Sequence, residues 1–237
     1  MEIIKLEKHK YKETMVKEGI KIFWIFVIGS LLGYIYEIII TYFKLGHFEN
    51  RQGLIYGPFI PVYGIGGIAY YIVLKKLKIQ KIWQVFFVSM FLGGITEYIC
   101  SFVQEKIWGT ISWDYSYLPF NLNGRTSLLH CCYWGIAGIL YIKYIYPIVQ
   151  KIDLIIERKS FLAITTIFVC FMVFNIVIST MAAYRQKQRF NNDIANNKIE
   201  IWFDKTYPDE YLNKVFVNKK YVIRKNEQFI NNTSTNL

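Results

Sequence analysis

An all-α integral membrane protein with about five transmembrane helices is the fold class this sequence predicts, on three observations. Of 237 residues, 54% are hydrophobic and 18% aromatic, well above an ordinary soluble domain. The apolar residues are bunched into runs near 20–43, 58–74, 82–103, 127–149 and 161–183, each long enough to cross ~30 Å of hydrocarbon at about 1.5 Å per residue. Basic residues crowd every second connection. The chain therefore divides into a basic N-terminal segment (1–21), a transmembrane domain (22–183) and a polar C-terminal tail (184–237).

The first run follows a charged segment of about twenty residues and lacks a small-residue cleavage site. It reads as a retained helix and not as a removable signal peptide. Lys5, Lys8, Lys10, Lys12, Lys17 and Lys21 precede it. Lys75, Lys76, Lys78 and Lys81 separate the second run from the third, and Lys151, Arg158 and Lys159 follow the fourth. The other two connections hold only Lys44, Arg51, Lys106 and Arg125. Thirteen positive charges against four predict a cytoplasmic N-terminus in the cell membrane. Arg185, Lys187 and Arg189 run against that rule, because five crossings leave the tail outside. The net charge of +11 follows from this sidedness and from the tail, so the lipid bilayer is the expected partner and nucleic acid is not.

Polar residues interrupt the apolar runs in a pattern. Ser30, Gly33, Tyr34, Glu37 and Thr41 fall at steps of three and four in the first run, so they share one helical face. Ser89, Gly93, Glu97 and Ser101 do the same in the third. "GYIYEIIIT" and "GGITEYICS" both place Gly four residues before a Glu and a hydroxyl four after it. The likeness continues: Arg51 opens "RQGLIYGPFIPVYG" and Arg125 opens "RTSLLHCCYWGIAG", each followed by matched Leu54 and Leu128, Gly64 and Gly138, Tyr70 and Tyr144. A parallel duplication of a two-helix unit is expected, with repeat one at about 22–74, repeat two at about 82–149 and a fifth helix at 161–183.

Glu37 and Glu97 sit about two-thirds of the way along outward-running helices, which places each ~9 Å below the outer surface. An unpaired Glu at such depth costs on the order of 2.5–3.5 kcal/mol. Pairs of Glu37 with Arg51 and Glu97 with Arg125, or the crossed pairs, are therefore expected. Between the third and fourth runs lies "ISWDYSYLPFNLNGR", whose polar groups fall on the same outer side. Pro58, Pro61 and four nearby glycines predict a second span broken near its outer end, as at cavities that bind ligands. Paired charges and small residues also serve as packing glue between membrane helices, and Trp24, Trp83, Trp108 and Trp113 suit interfacial anchors.

Cysteines 100, 131, 132 and 170 lie inside apolar runs without CxxC spacing, as small hydrophobes do. His47 and His130 are singletons without metal-ligand spacing. No metal or other cofactor is expected.

The blocks "GYIYE", "RQGLIYGPFIPVYG", "EYICSFVQEKIWGTISWDYSYLPFNLNGR" and "WGIAG" resemble those of the CmpB-like family of type IV ABC-transporter membrane proteins, related to the vertebrate transmembrane protein 229 family. The likeness covers about 22–185. It implies a permease or binding component, with Tyr56, Tyr63, Glu105, Trp113, Asp114 and Asn121 joining Glu37, Arg51, Glu97 and Arg125 as candidate residues contacting a small-molecule ligand. His130 stands where the family pattern suggests a smaller residue. The chain has no GxxxxGK[ST] loop, so nucleotide hydrolysis requires a separate ATPase subunit. "QKIDLIIERKS" is a candidate short helix against such a partner, and an oligomer is compatible with all of this.

In the tail, "TYPDEYLNKVFVNKKYV" predicts a helix capped by Thr206, with Pro208, Asp209 and Glu210 in its first turn and an apolar stripe of Tyr211, Leu212, Val215 and Phe216. It is expected on the membrane surface or against the helical body, with disorder after about 225. Three functions compete: a small-molecule permease component, a structural or regulatory subunit, and a membrane enzyme using Glu97, Glu105 or Asp114 as general acid or base, for which no catalytic motif is present.

Overall fold

The computed structural model describes residues 2–79, 81–223 and 228–231 and is helical almost throughout. Helix α1 (Glu2–Leu45) runs from the basic segment into the first span without a break. Helices α2 (Pro61–Leu77) and α3 (Ile82–Trp108) follow, then strands β1 (Thr110–Ile111), β2 (Asn121–Leu122) and β3 (Thr126–Ser127) in the long connection, then α4 (Leu128–Leu140). A π-turn at Tyr141–Ile145 leads into α5 (Tyr146–Lys151) and a 3₁₀ turn at Ile152–Leu154. Pro147 explains the π-turn: it has no N–H to offer the carbonyl one turn back, and its ring crowds that carbonyl. Helix α6 (Lys159–Phe190) is the last span.

Four stretches have the length and apolarity to cross a membrane: Glu13–Leu45, Ile82–Trp108, Leu128–Leu154 and Lys159–Phe190. These four are counted among the described residues; helix α2, apolar but with 17 residues, is shorter, so the expected five spans are met by four long helices and this short one. Its outer end departs from the expected break. Gly64, Gly66 and Gly67 lie inside an unbroken helix that begins at Pro61, and they serve close packing. A Cβ on Gly64 would stand 2.4 Å from Ser30 Oγ, and one on Gly66 2.7 Å from the Trp134 ring. Lipid offers no hydrophobic drive to bring helices together, so such close approaches supply the packing instead. Accordingly the large exposed side chains, such as Leu31, Ile35, Phe87, Phe91 and Ile99, point out of the bundle, while Trp134 packs inside among Tyr63 and Tyr70.

Non-helical backbone before α2 is buried at the level of α6 and must be satisfied there. The Asn175 side chain, fully buried on α6, does most of this. Its amide donates to the Tyr56 carbonyl at 2.6 Å and its oxygen accepts from the Tyr56 N–H at 3.1 Å. Ser179 Oγ accepts from the Ile55 N–H, and the Gln52 amide donates to the Gly57 carbonyl.

The tail packs as part of the fold. Helix α7 (Lys198–Thr206) and helix α8 (Asp209–Val215) bury Phe203, Tyr207, Leu212 and Val215 against Ile55 and Ala182. Thr206 closes α7 and does not cap α8, whose cap residue is Pro208; Asp209 and Glu210 do occupy the first turn of α8. Strand β4 (Lys220–Ile223) pairs with β1 on one side and β5 (Gln228–Asn231) on the other. The expected disorder after 225 therefore fails at 228–231; its remaining residues, 226–227 and 232–237, lie outside the described residues.

Contacts sort the connections into two ends. Lys17 with Glu157 and Lys21 with Asp153 tie α1 to the connection before α6. At the opposite end, the segment at 46–60, the segment at 109–127 and the tail meet.

Candidate functional site

Both acids, Glu97 buried and Glu37 half-buried, face hydroxyls. Glu37 on α1 accepts from Tyr63 Oη at 2.6 Å. Glu97 on α3, 6% exposed, accepts from Thr126 Oγ1 at 2.7 Å and Tyr115 Oη at 3.0 Å. Among the described residues neither acid forms an ion pair. The expected pairs with Arg51 and Arg125 are not formed, for reasons visible in the packing. Arg125 leaves β3's flank and runs outward along α3, where it pairs with Glu105, donates to Ser101 Oγ at 3.3 Å and lies over the Tyr98 and Phe102 rings. Arg51 turns to the tail, pairing with Glu49 at 2.6 Å and donating to Asn218.

Tyr115 donates to Glu97 and lies within electrostatic reach of Glu37. Its hydroxyl pKa is held well above the ordinary phenol value, first by burial, then by the Glu97 carboxylate it donates to, with Glu37 adding to the effect. Its ring stacks on His130 at 3.6 Å, and His130 Nδ1 shares a hydrogen bond of 2.8 Å with Ser127 Oγ. Tyr63 continues the cluster to Trp134, with ring centres 5.3 Å apart. Glu37, Tyr63, Glu97, Tyr115, Thr126 and His130 thus form one polar cluster drawn from α1 to α4 and the connection before α4.

The remaining candidates build the loop that delivers Tyr115 and Thr126. Asp114 Oδ1 accepts from the Ser116 N–H and Oδ2 from the Ser116 hydroxyl, an Asx turn. The Asn121 amide donates to the Leu118 carbonyl at 2.7 Å, and its oxygen accepts from the Gly124 N–H. Trp113 Nε1 donates to the Arg125 carbonyl at 2.8 Å. Gly124 has φ +67° and a Cβ there would meet Asp114 Oδ1 at 2.5 Å, so the turn requires glycine. Tyr56 binds Tyr207 of the tail, hydroxyl to hydroxyl at 2.7 Å. Of the ten candidates, the structure brings Glu37, Tyr63 and Glu97 together; Glu105 with Arg125, and Arg51 with Tyr56, stand apart.

Sequence reasoning left Tyr115 and His130 out of the ligand-contacting set and did not single out Thr126. Thr126 directly follows Arg125, and Tyr115 lies in a turn-rich block between two spans; both signals were present. Among the described residues no three of His, Cys, Asp and Glu converge as a metal site would require. A cavity of about 180 Å³ lies at the other end, lined by Lys21, Tyr71, Lys75, Tyr146 and Asp153 among others. Its lysines are already engaged, Lys21 by Asp153 and Lys75 by Glu18 and Tyr71, and it shares no residue with the acid cluster.

Comparison with known families gives one match: residues 24–180 fit a family described as "Putative ABC-transporter type IV". No curated protein and no solved structure matches the chain. The matched segment contains both acids, the segment at 46–60, the segment at 109–127 and the first two thirds of α6, and stops before the tail.

Proposed function

The chain belongs to the family described as "Putative ABC-transporter type IV", and from that membership we propose that it is the membrane-spanning component of a transporter, binding a small cationic molecule between its two helical repeats. One observation carries the choice of charge. Two acids at matched places in the repeats are held by Tyr63, Tyr115 and Thr126, with no cation beside them among the described residues. The fold's own arginines are committed elsewhere. A cation arriving at the cluster meets two carboxyls and an aromatic wall of Tyr63, Tyr115 and Trp134. In this reading Glu105–Arg125 and Glu49–Arg51 form the polar rim of the site, with Trp113, Asp114 and Asn121 shaping its lip.

Supporting the duplication, the matched glycines Gly64 and Gly138 each meet a serine hydroxyl of the preceding span, Ser30 in the first repeat and Ser89 in the second, although the two serines are one position out of register. Arg185 and Arg189, which run against a cytoplasmic N-terminus under the charge rule, are held by the tail: Arg185 pairs with Asp204, and Arg189 with Asp204 and Asp209. A separate ATPase subunit would then meet the end bearing α5 and the 3₁₀ turn, where Leu154 is exposed.

The test is thermal unfolding in mild detergent of wild type, Glu37→Gln and Glu97→Gln with choline, putrescine or Na⁺. A ligand at about a hundredfold excess over its Kd adds ~2.7 kcal/mol. Stabilisation of wild type by a cation, lost in Glu97→Gln, supports the reading. A second reading, structural glue, draws on the saturation of Glu97 by two hydroxyls. It wins if no cation shifts wild type and both variants only lose stability.

A further inference from the structure

Helix α7 follows the last span after the turn over 191–197 and packs against the C-terminal turns of α6. Phe203 packs in one cluster with Ala182, and Asp204 pairs with Arg185 and Arg189. Its start is fixed by Asn197, whose side chain accepts from the Ile199 and Glu200 N–H groups, while Glu200 accepts from the Asn196 N–H at 2.6 Å. Both acids of the helix are thereby spent inward or on the cap.

What remains outward has one character. At 100° per residue, Ile201, Lys205, Lys198, Trp202, Thr206 and Ile199 follow one another over about 160° of the helix, with Lys198 at the middle facing away from Phe203 and Asp204, and Trp202 resting edge-on against the Phe203 and Tyr207 rings. All six are exposed. Among the described residues, neither lysine forms an ion pair and the Trp202 indole N–H has no partner. The preceding Ile194 is exposed as well. On α6, Met181 and Tyr184 are exposed in the same turns as Ala182 and Arg185, which hold α7. A soluble tail would hide isoleucines and a tryptophan or flank them with charges of both signs.

We propose that α7 is a membrane-surface anchor: Ile199, Ile201 and Trp202 enter the boundary between headgroups and acyl chains, and Lys198 and Lys205 bind the phosphates of anionic lipids. The occupant follows from chemistry and continuity. An interfacial helix combines apolar residues, Trp and lysines without acids on its outer face, and here that helix is docked on the turns of the last span that expose Met181 and Tyr184. Docked through Phe203 and Asp204, α7 would hold β4 and the segments at 46–60 and 109–127 at a fixed height over the bilayer.

The experiment uses the full chain reconstituted in phosphatidylcholine vesicles, with or without phosphatidylglycerol, containing lipid brominated near the glycerol end of the acyl chain. The emission of Trp202 is taken as the difference between wild type and Trp202→Phe, and that of the lipid-exposed Trp83 from Trp83→Phe in the same way. We expect brominated lipid to quench the Trp202 share to an extent comparable with Trp83, and phosphatidylglycerol to deepen the quenching. The combined Lys198→Gln, Lys205→Gln variant should abolish only the phosphatidylglycerol effect. A Trp202 share untouched by brominated lipid but quenched by aqueous iodide overturns the anchor, and leaves the face free for a soluble protein. Absence of any phosphatidylglycerol effect in wild type overturns the role of the lysines.

Discussion

Replacing Arg125 tests which acid it serves. Arg125→Ala removes a charge-assisted bond to Glu105, a long bond to Ser101 at 3.3 Å, and contacts over Tyr98 at 5.7 Å and Phe102 at 5.5 Å. A charged hydrogen bond contributes ~1.5–3 kcal/mol, a long neutral one ~0.5, and each ring contact ~0.5. The pair keeps some solvent contact, with side chains 14% and 19% exposed, so the low end applies to the charge. The variant should lose about 3 kcal/mol. Glu105→Gln keeps an acceptor but no charge and should lose ~1 kcal/mol. The double variant should then fall short of the two losses added together, by a coupling of ~1–2 kcal/mol. The same cycle with Glu97→Gln should be additive within ~0.5 kcal/mol. Reversible unfolding in mixed micelles, followed by Trp fluorescence, reads all of these. Coupling to Glu97 larger than coupling to Glu105 would refute the assignment of Arg125 to the rim.

Three further outcomes are expected. Gly138→Ala puts a Cβ 1.9 Å from Ser89 Oγ, a clash that should cost ~1–3 kcal/mol; Ser89→Gly should restore much of this in the double variant, and thermal melts of the four proteins decide it. Asn175→Leu strands the Tyr56 N–H and carbonyl at membrane depth and should cost several kcal/mol, whereas an unchanged unfolding midpoint would show that the segment at 46–60 does not depend on the clamp. Lys219, 5% exposed, lies between the Phe216 and Tyr221 rings with Gln186 as acceptor, and burial pushes its pKa down to about 7 from 10.5. A base with a depressed folded pKa binds its proton first in the undocked tail, so docking strengthens as pH rises from about 7 towards 10.5 and is flat below 7. Proteolysis of the tail at pH 7, 8 and 9 should slow with pH in wild type, and Lys219→Met should remove that dependence.

The sequence by itself determined the membrane class, the places of the spans and the faces they bury. Ser30, Gly33 and Thr41 on α1, and Ser89, Gly93, Glu97 and Ser101 on α3, are buried as their spacing requires. Hydropathy and helical period are local properties, and lipid leaves a spanning backbone no alternative to the helix. Partners were a different matter. Glu97 and Glu105 lie eight residues apart near one face of one helix, so spacing offers Arg125 both; the path of the segment at 109–127, set by Asp114, Asn121 and Gly124, decides for Glu105. The same holds for Arg51, whose partner Asn218 is 167 residues away. A polar tail read in isolation suggests one helix and a disordered end, because its burial and its strand pairing come from Ile55, Ala182 and Thr110, in parts of the chain it meets only after folding. Tertiary structure decided those choices because a charged side chain pairs with what the folded backbone brings within reach, and reach is not written in spacing.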